Sequence, residues 1–327
     1  MEIINSNPYD SRKSRPSANV AKSIMSQNPT KVLLVEGTMD EWFYGKIIET
    51  NKKTINVIII TKTEKEDVNK EDKKFFAGKN GNVDAKKAII IRVAEQFKNN
   101  DFRFYGIVDK DYDNTNKDVK NIQIKYGVDI LSANHIISTE TNDVETLIFK
   151  YDMDNIKNIP PQNCTKNEWV QLLDKAIRKS CKLGFIRKKS RNGIKKLKFK
   201  TVFNQADSFK SYAIDNDSDD IKNAVKKILI YREDEFQYWL NGIPSDFSNI
   251  KWDLCRGHDL TGLIASLMFI NKYSYNENLK GDDSHMIKSN EQSFISKIKG
   301  EETKDYVNSI DISKFQTSNV YQFILSI

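Results

Sequence analysis

The chain has 327 residues, enough for one large domain or two ordinary ones, and a net charge of +7 that suits a nucleic-acid partner without demanding one. No apolar run approaches the roughly 18 residues that a membrane span requires. Cys164, Cys181 and Cys255 are widely spaced with no CxxC pair, which argues against a zinc cluster or a disulfide framework.

Residues 1–30 are expected to form a polar N-terminal arm with no apolar leader segment. A helix through Ala18–Met25 is one option within it. With the cysteine pattern, this leads to the expectation of a cytoplasmic protein with no membrane partner. From Lys31 the pattern alternates between strand and helix. Val32–Val35 is a continuous apolar run, as a strand covered on both faces requires. It ends in Glu36-Gly37, and Thr38 with Glu41 predicts a capping box for a helix striped by Met39, Phe43, Ile47 and Ile48.

Val57–Ile60 is the second expected strand. A glycine-bracketed turn around Lys79 precedes a helix over Asp84–Phe97, and Phe104–Val108 forms the third strand. His135–Ser138 forms the fourth, leading through Thr141-Asn142-Asp143-Val144-Glu145 into a short helix. This alternation predicts an α/β fold, an open parallel sheet flanked by helices, over residues 31–158.

Pro160-Pro161 marks the expected boundary to a mainly helical region over residues 159–327. Its helices are predicted at Asn167–Leu183, Asp219–Trp239 and Leu260–Tyr273. Lys182–Lys200 holds nine basic residues and no acidic one, with Gly193 placed as a hairpin turn. Arg187, Lys188, Lys189, Arg191, Lys195 and Lys196 of this basic insertion could track a phosphate backbone. A solvated lysine-rich hairpin explains the same residues equally well.

Two expected strands end in acid. Glu36 follows the first, and Asp109 and Asp111 follow the third. Ligands of open α/β sheets gather at the carboxyl ends of strands, and hard cations such as Mg2+ prefer carboxylate oxygens. Residues two apart in an extended chain point to one side, so Asp109 and Asp111 could share an ion. This constellation suits metal-assisted phosphodiester chemistry. Asp113 could add a ligand, and Asp40 could sit nearby; both could equally be solvated or capping acids. Lys79 could contact phosphate or simply occupy its turn. Asn142 and Glu145 fit a capping box. His258 with Asp259 could form an acid–base pair, or Arg256-Gly257-His258-Asp259 could shape a turn whose aspartate caps the helix from Leu260.

Val35-Glu36-Gly37-x-x-Asp40 with Val108-Asp109-x-Asp111 resembles the TOPRIM domain of topoisomerases, primases and OLD-type nucleases. The likeness extends to a family of bacterial TOPRIM-like proteins, matched by Gly78-Lys79, Gly106-Ile107-Val108-Asp109, Thr141–Thr146, Leu183–Arg187 and Cys255–Leu260, and so covers roughly residues 18–275. That family includes the nuclease subunit of the PARIS anti-phage system. The resemblance implies a Mg2+-dependent nuclease, with Mn2+ as a substitute cation. Such a nuclease is held in check by an ABC-type ATPase sensor, and on release it dimerises and cleaves host RNA, namely tRNA. It further implies that Glu36, Asp109 and Asp111 form the catalytic metal site, with Asp143 and Glu145 as nearby acids. Asp113 departs from the simplest family pattern. The competing expectation is a TOPRIM-fold binding or regulatory module that does not cut. A primase- or topoisomerase-like role is disfavoured by the lack of a zinc motif and of a strand-passage tyrosine context.

Overall fold

The computed structural model describes residues 31–59, 90, 104–110, 135–160, 164–189, 241–273, 289, 291–293, 296 and 310–327, of which 266–273 by backbone alone. They fall into two compact units. One comprises the described residues up to Glu140 together with Gln316–Ile327, and the other those from Thr141 to Phe315. The Pro160-Pro161 step expected to divide the chain falls within the second unit's span. Among the described residues, no helix is long and apolar enough to cross a membrane.

The first unit is built on a four-stranded, all-parallel sheet in the order β2-β1-β3-β4. The strands are β1 (Lys31–Val35), β2 (Ile55–Ile59), β3 (Phe104–Val108) and β4 (Ile136–Ser138), each within two residues of its sequence expectation. β1 is central, pairing Leu33 with Val57 on one side and with Tyr105 on the other. Its continuous apolar run is buried from Val32 to Val35, as strand covering on both faces demands. β2, at the edge, leaves Asn56 exposed. Gly106 in β3 is a close-approach position: a Cβ there would lie 2.5 Å from Ile90 Cγ2, so a larger residue would push Ile90 away. Ile90 is the only described residue of the helix expected over Asp84–Phe97, and it is helical.

Helix α1 (Thr38–Thr50) follows β1. The expected capping box does not form. The N-cap is Gly37, which makes no side-chain cap bond, and Thr38 is already the first helical residue. The start is held instead by Glu41 N–H bonding the Gly37 carbonyl at 3.1 Å. The buried stripe also shifts. Asp40, Phe43, Tyr44, Ile47 and Ile48 are buried while Met39 is only half-buried, so a carboxylate takes the first inward position.

The chain end returns to this unit, because α6 (Asn319–Ser326) carries an apolar face of Val320, Tyr321, Phe323 and Ile324 that must be covered. Ser318 caps it, accepting from Tyr321 N–H at 3.2 Å. Asn319 Nδ2 donates to the Ser138 carbonyl at 2.8 Å, Lys53 Nζ to the Leu325 carbonyl at 2.6 Å, and Tyr321 Oη to Asn51 Oδ1 at 3.0 Å.

The second unit is helical: α2 (Val144–Ile156), α3 (Lys166–Lys189), the short α4 (Lys251–Leu254), α5 (Gly257–Tyr273) and a 3-10 turn at Ile312–Phe315. Its core includes Leu147, Trp169, Leu173, Ala176, Leu183, Leu260, Leu263 and Ile264. Trp169 Nε1 donates to the Ile156 carbonyl at 2.8 Å, which satisfies the one polar atom of a fully buried indole.

α3 runs six residues beyond its expected end at Leu183. The first half of the basic run is therefore helical, not an arm of a hairpin; 190–200 lie outside the described residues. Gly184 shows why the helix continues through a residue that ordinarily weakens one. A Cβ there would lie 1.8 Å from the Leu254 carbonyl oxygen, so glycine permits α4 to pack against α3.

Candidate metal-binding edge and a buried polar junction

In the first unit the acids gather where β1 and β3 end. Glu36 is the residue after β1, is 6% exposed, and accepts the Asp109 N–H on Oε1 at 2.9 Å. Asp109 follows β3 and is half-buried. The two carboxylate-bearing residues are thus tied across adjacent parallel strands. Asp40 lies one turn into α1, is 5% exposed, and its Oδ2 would stand 3.1 Å from a Cβ added at Gly37. Gly37 is therefore the small residue that gives the Asp40 carboxylate room.

Hard carboxylate oxygens are the donor chemistry that Mg2+ takes, and the described part of this edge fits such an ion in donor type. Asp111 and Asp113, the other expected ligands, lie outside the described residues, as do Lys79, Arg191, Lys195 and Lys196. Among the described residues, no group of three or more His, Cys, Asp or Glu side chains is assembled as a metal cage.

The second unit holds the other sequence-nominated residues, at the junction of α2, α3 and α5. Asp143 is the N-cap of α2 and is 2% exposed. Its Oδ1 accepts the Thr146 N–H at 3.0 Å and the Thr146 hydroxyl at 2.5 Å, and both its oxygens lie 2.9 Å from Gly257 N. Arg256 Nε stands 4.0 Å from Oδ2. Asn142, expected to begin a capping box with Glu145, instead donates to the carbonyls of Asp253 and Cys255 at 3.1 and 2.6 Å. Asp143 thus stitches the start of α5 onto the start of α2. A Cβ on Gly257 would sit 2.2 Å from Glu145 Cβ and 2.6 Å from Asp143 Oδ1, so the approach is possible only with glycine.

Arg187 was expected on a phosphate-tracking surface. It is fully buried, and its Nη1 is ion-paired with Asp259 Oδ2, itself 2% exposed. The reason is positional. Ala176, Ser180, Leu183 and Arg187 fall at i, i+4, i+7 and i+11, one inward face of α3. Lys188 and Lys189 are exposed, and the Lys189 ammonium lies 5.5 Å from the Phe185 ring centroid. Asp259 accordingly lies inside α5 and not at its cap, and its carboxylate pairs with Arg187.

His258 pairs with Glu145: Nδ1 is 3.8 Å from Oε1, with the imidazole 66% and the carboxyl 12% exposed. Burial raises the Glu145 carboxyl above the ordinary range, an effect the His258 charge opposes. His258 is raised in turn, chiefly by the Glu145 charge.

Sequence spacing also missed two associations. Cys181 and Cys255 are buried free thiols with Sγ atoms 3.4 Å apart, and burial, then the neighbouring thiol, pushes Cys255 well above its usual value. Lys110 and Thr139 join the acidic edge, with Lys110 N–H donating to Thr139 Oγ1 at 3.1 Å. Only the position of Lys110 between two aspartates hinted at that. No family model and no curated protein matches the chain.

Proposed function

We propose that the chain is a Mg2+-dependent phosphodiesterase of the TOPRIM type, acting on RNA, with tRNA as the substrate class. The observation carrying this reading is the pairing of Glu36 and Asp109 at the carboxyl ends of two adjacent parallel strands, joined by a 2.9 Å hydrogen bond. With Asp111 they would hold Mg2+, for which Mn2+ would substitute; when bound, the ion would polarise the phosphoryl group and lower the pKa of a water. Glu36, held by its bond to the Asp109 backbone, would orient that water or take its proton, and Asp40, inward on α1, would add charge to the same edge. The wider motif likeness supports placing the enzyme in anti-phage defence as a cytoplasmic, toxin-like effector related to OLD-type nucleases. There an ATPase sensor would restrain it and a homodimer would be the active form.

A second reading, a non-cutting binding or regulatory module, is favoured by one detail: Glu36 has a structural task, because its carboxylate closes the β1–β3 edge on the Asp109 N–H. Glu36→Gln separates the two. The amide oxygen keeps that acceptor while the charge is lost. Purified full-length protein is expected to cleave tRNA with Mg2+ or Mn2+ and not in EDTA. Glu36→Gln should lower the rate at least about a hundredfold at an unchanged melting temperature. Wild-type protein that cleaves nothing with either ion would leave the non-catalytic reading standing, and cleavage by Glu36→Gln at the wild-type rate would remove Glu36 from the chemistry.

A further inference from the structure

We propose that Lys110 is the residue of the acidic edge that touches the phosphate of the nucleic acid, an inference resting on the reading of this edge as a phosphodiester site. The described residues just past the ends of β1, β3 and β4 are 36–40, 109–110 and 139–140. Among them Lys110 is the one basic side chain, beside the carboxylates Glu36, Asp40, Asp109 and Glu140.

Its placement is built rather than incidental. The Thr139 N–H bonds the Val108 carbonyl at 2.9 Å, and the Thr139 hydroxyl oxygen in turn accepts the Lys110 N–H at 3.1 Å, so one backbone bond and one side-chain bond tie the chain beyond β3 to the chain beyond β4. Thr139 is 1% exposed, which fixes its hydroxyl. The Lys110 ammonium lies 3.3 Å from the Glu140 carbonyl oxygen, which orients the side chain along the edge. An ammonium has three donors and can bridge that carbonyl to an anionic oxygen. A carboxylate-rich edge repels phosphodiesters, and a fixed cation one residue from Asp109 offsets that repulsion where the phosphate must approach. Thr139 and Glu140 are then positioning residues.

The test uses full-length protein and a fluorescein-labelled single-stranded RNA oligonucleotide of mixed sequence. Binding is read by anisotropy in EDTA across a salt series, and cleavage is read separately with Mg2+. Lys110→Gln should weaken binding about tenfold and make the slope of log K against log salt shallower by about 0.7, while slowing cleavage about a hundredfold. Lys110→Arg should keep the wild-type slope, because the charge remains. The proposal is overturned if Lys110→Gln binds with wild-type affinity and slope, or if its losses come with a lowered melting temperature that Lys110→Arg does not restore. Wild-type protein that fails to cleave would remove the phosphodiesterase reading, and the binding series would then decide the Lys110 contact alone.

Discussion

The sheet edge of the first unit and the helix junction of the second use the same residue types for different ends. At the junction, Asp143 is consumed by Thr146 and Gly257, and Asp259 by Arg187, so buried acids meet N–H groups and a guanidinium. At the edge, Glu36 and Asp40 are also buried, Glu36 accepts the Asp109 N–H, and Lys110 is the one described lysine past these strand ends. Buried charge that is matched by a buried guanidinium or helix-end N–H groups serves the fold; carboxylates placed at the ends of adjacent parallel strands offer the oxygen donors that a hard cation takes. Substitutions at the junction should therefore act on stability, and those at the edge on chemistry.

The largest effect is expected where a buried ion pair loses one member. Asp259→Ala strands the fully buried Arg187 guanidinium, and such a loss costs about 3–5 kcal/mol. Thermal or urea unfolding would read it, and Arg187→Met combined with Asp259→Leu should recover much of the loss. If the single variant melts like wild type, the junction is not the structural element described. Next comes Gly257→Ala, whose added methyl meets Glu145 Cβ and Asp143 Oδ1; overpacking of this kind costs about 1–3 kcal/mol. A wild-type melting temperature for this variant would show that α5 can move away from α2 freely.

Smaller still is the stability cost at the edge. Glu36→Ala removes the acceptor of the Asp109 N–H and should cost about 1 kcal/mol, whereas Glu36→Gln should cost less while losing as much activity. Should both variants unfold as readily as Asp259→Ala, the distinction between edge and junction fails.

That Glu36 and Asp109 each follow a strand was legible in the sequence, because an apolar run ending in acid is a local signal. Apolar runs such as Val32–Val35 end in acid, and a parallel sheet places strand ends side by side. The junction was not, because its logic lies in contacts across long sequence separations. Gly257 reads as part of a turn and Gly184 carries no reading of its own, but Gly184 admits the Leu254 carbonyl and Gly257 the Glu145 and Asp143 side chains. Arg187 sits in a basic run that reads as surface, and only its spacing from Ala176, Ser180 and Leu183 reveals an inward face. Thr38 and Glu41 satisfied the spacing of a capping box, yet Gly37 took the cap and Asp40 the inward position. The return of α6 to the first unit and the meeting of Cys181 with Cys255 had no local signature at all.

The mildest prediction concerns a junction pair that is not sealed from water. Glu145 and His258 both hold a proton more tightly in the folded chain than in the unfolded one. A raised folded value means that the stabilisation is complete at pH below the unfolded value and is lost as pH rises through the folded one. For Glu145 the loss begins above the ordinary carboxylate range, about 4.3; for His258 it begins above about 6.5. Both losses run the same way, so the second unit should weaken as pH rises, with the His258 step falling near and above neutrality. The Asp143 and Asp259 charges add to the rise at His258, and Arg256 opposes it. With the imidazole 66% exposed, the pair should contribute no more than about 1 kcal/mol. Unfolding free energy measured from pH 6 to 8 should fall for the wild type and fall less for Glu145→Gln, which removes the main cause of the His258 shift. Equal slopes in the two proteins would mean that solvent screens the Glu145–His258 pair completely.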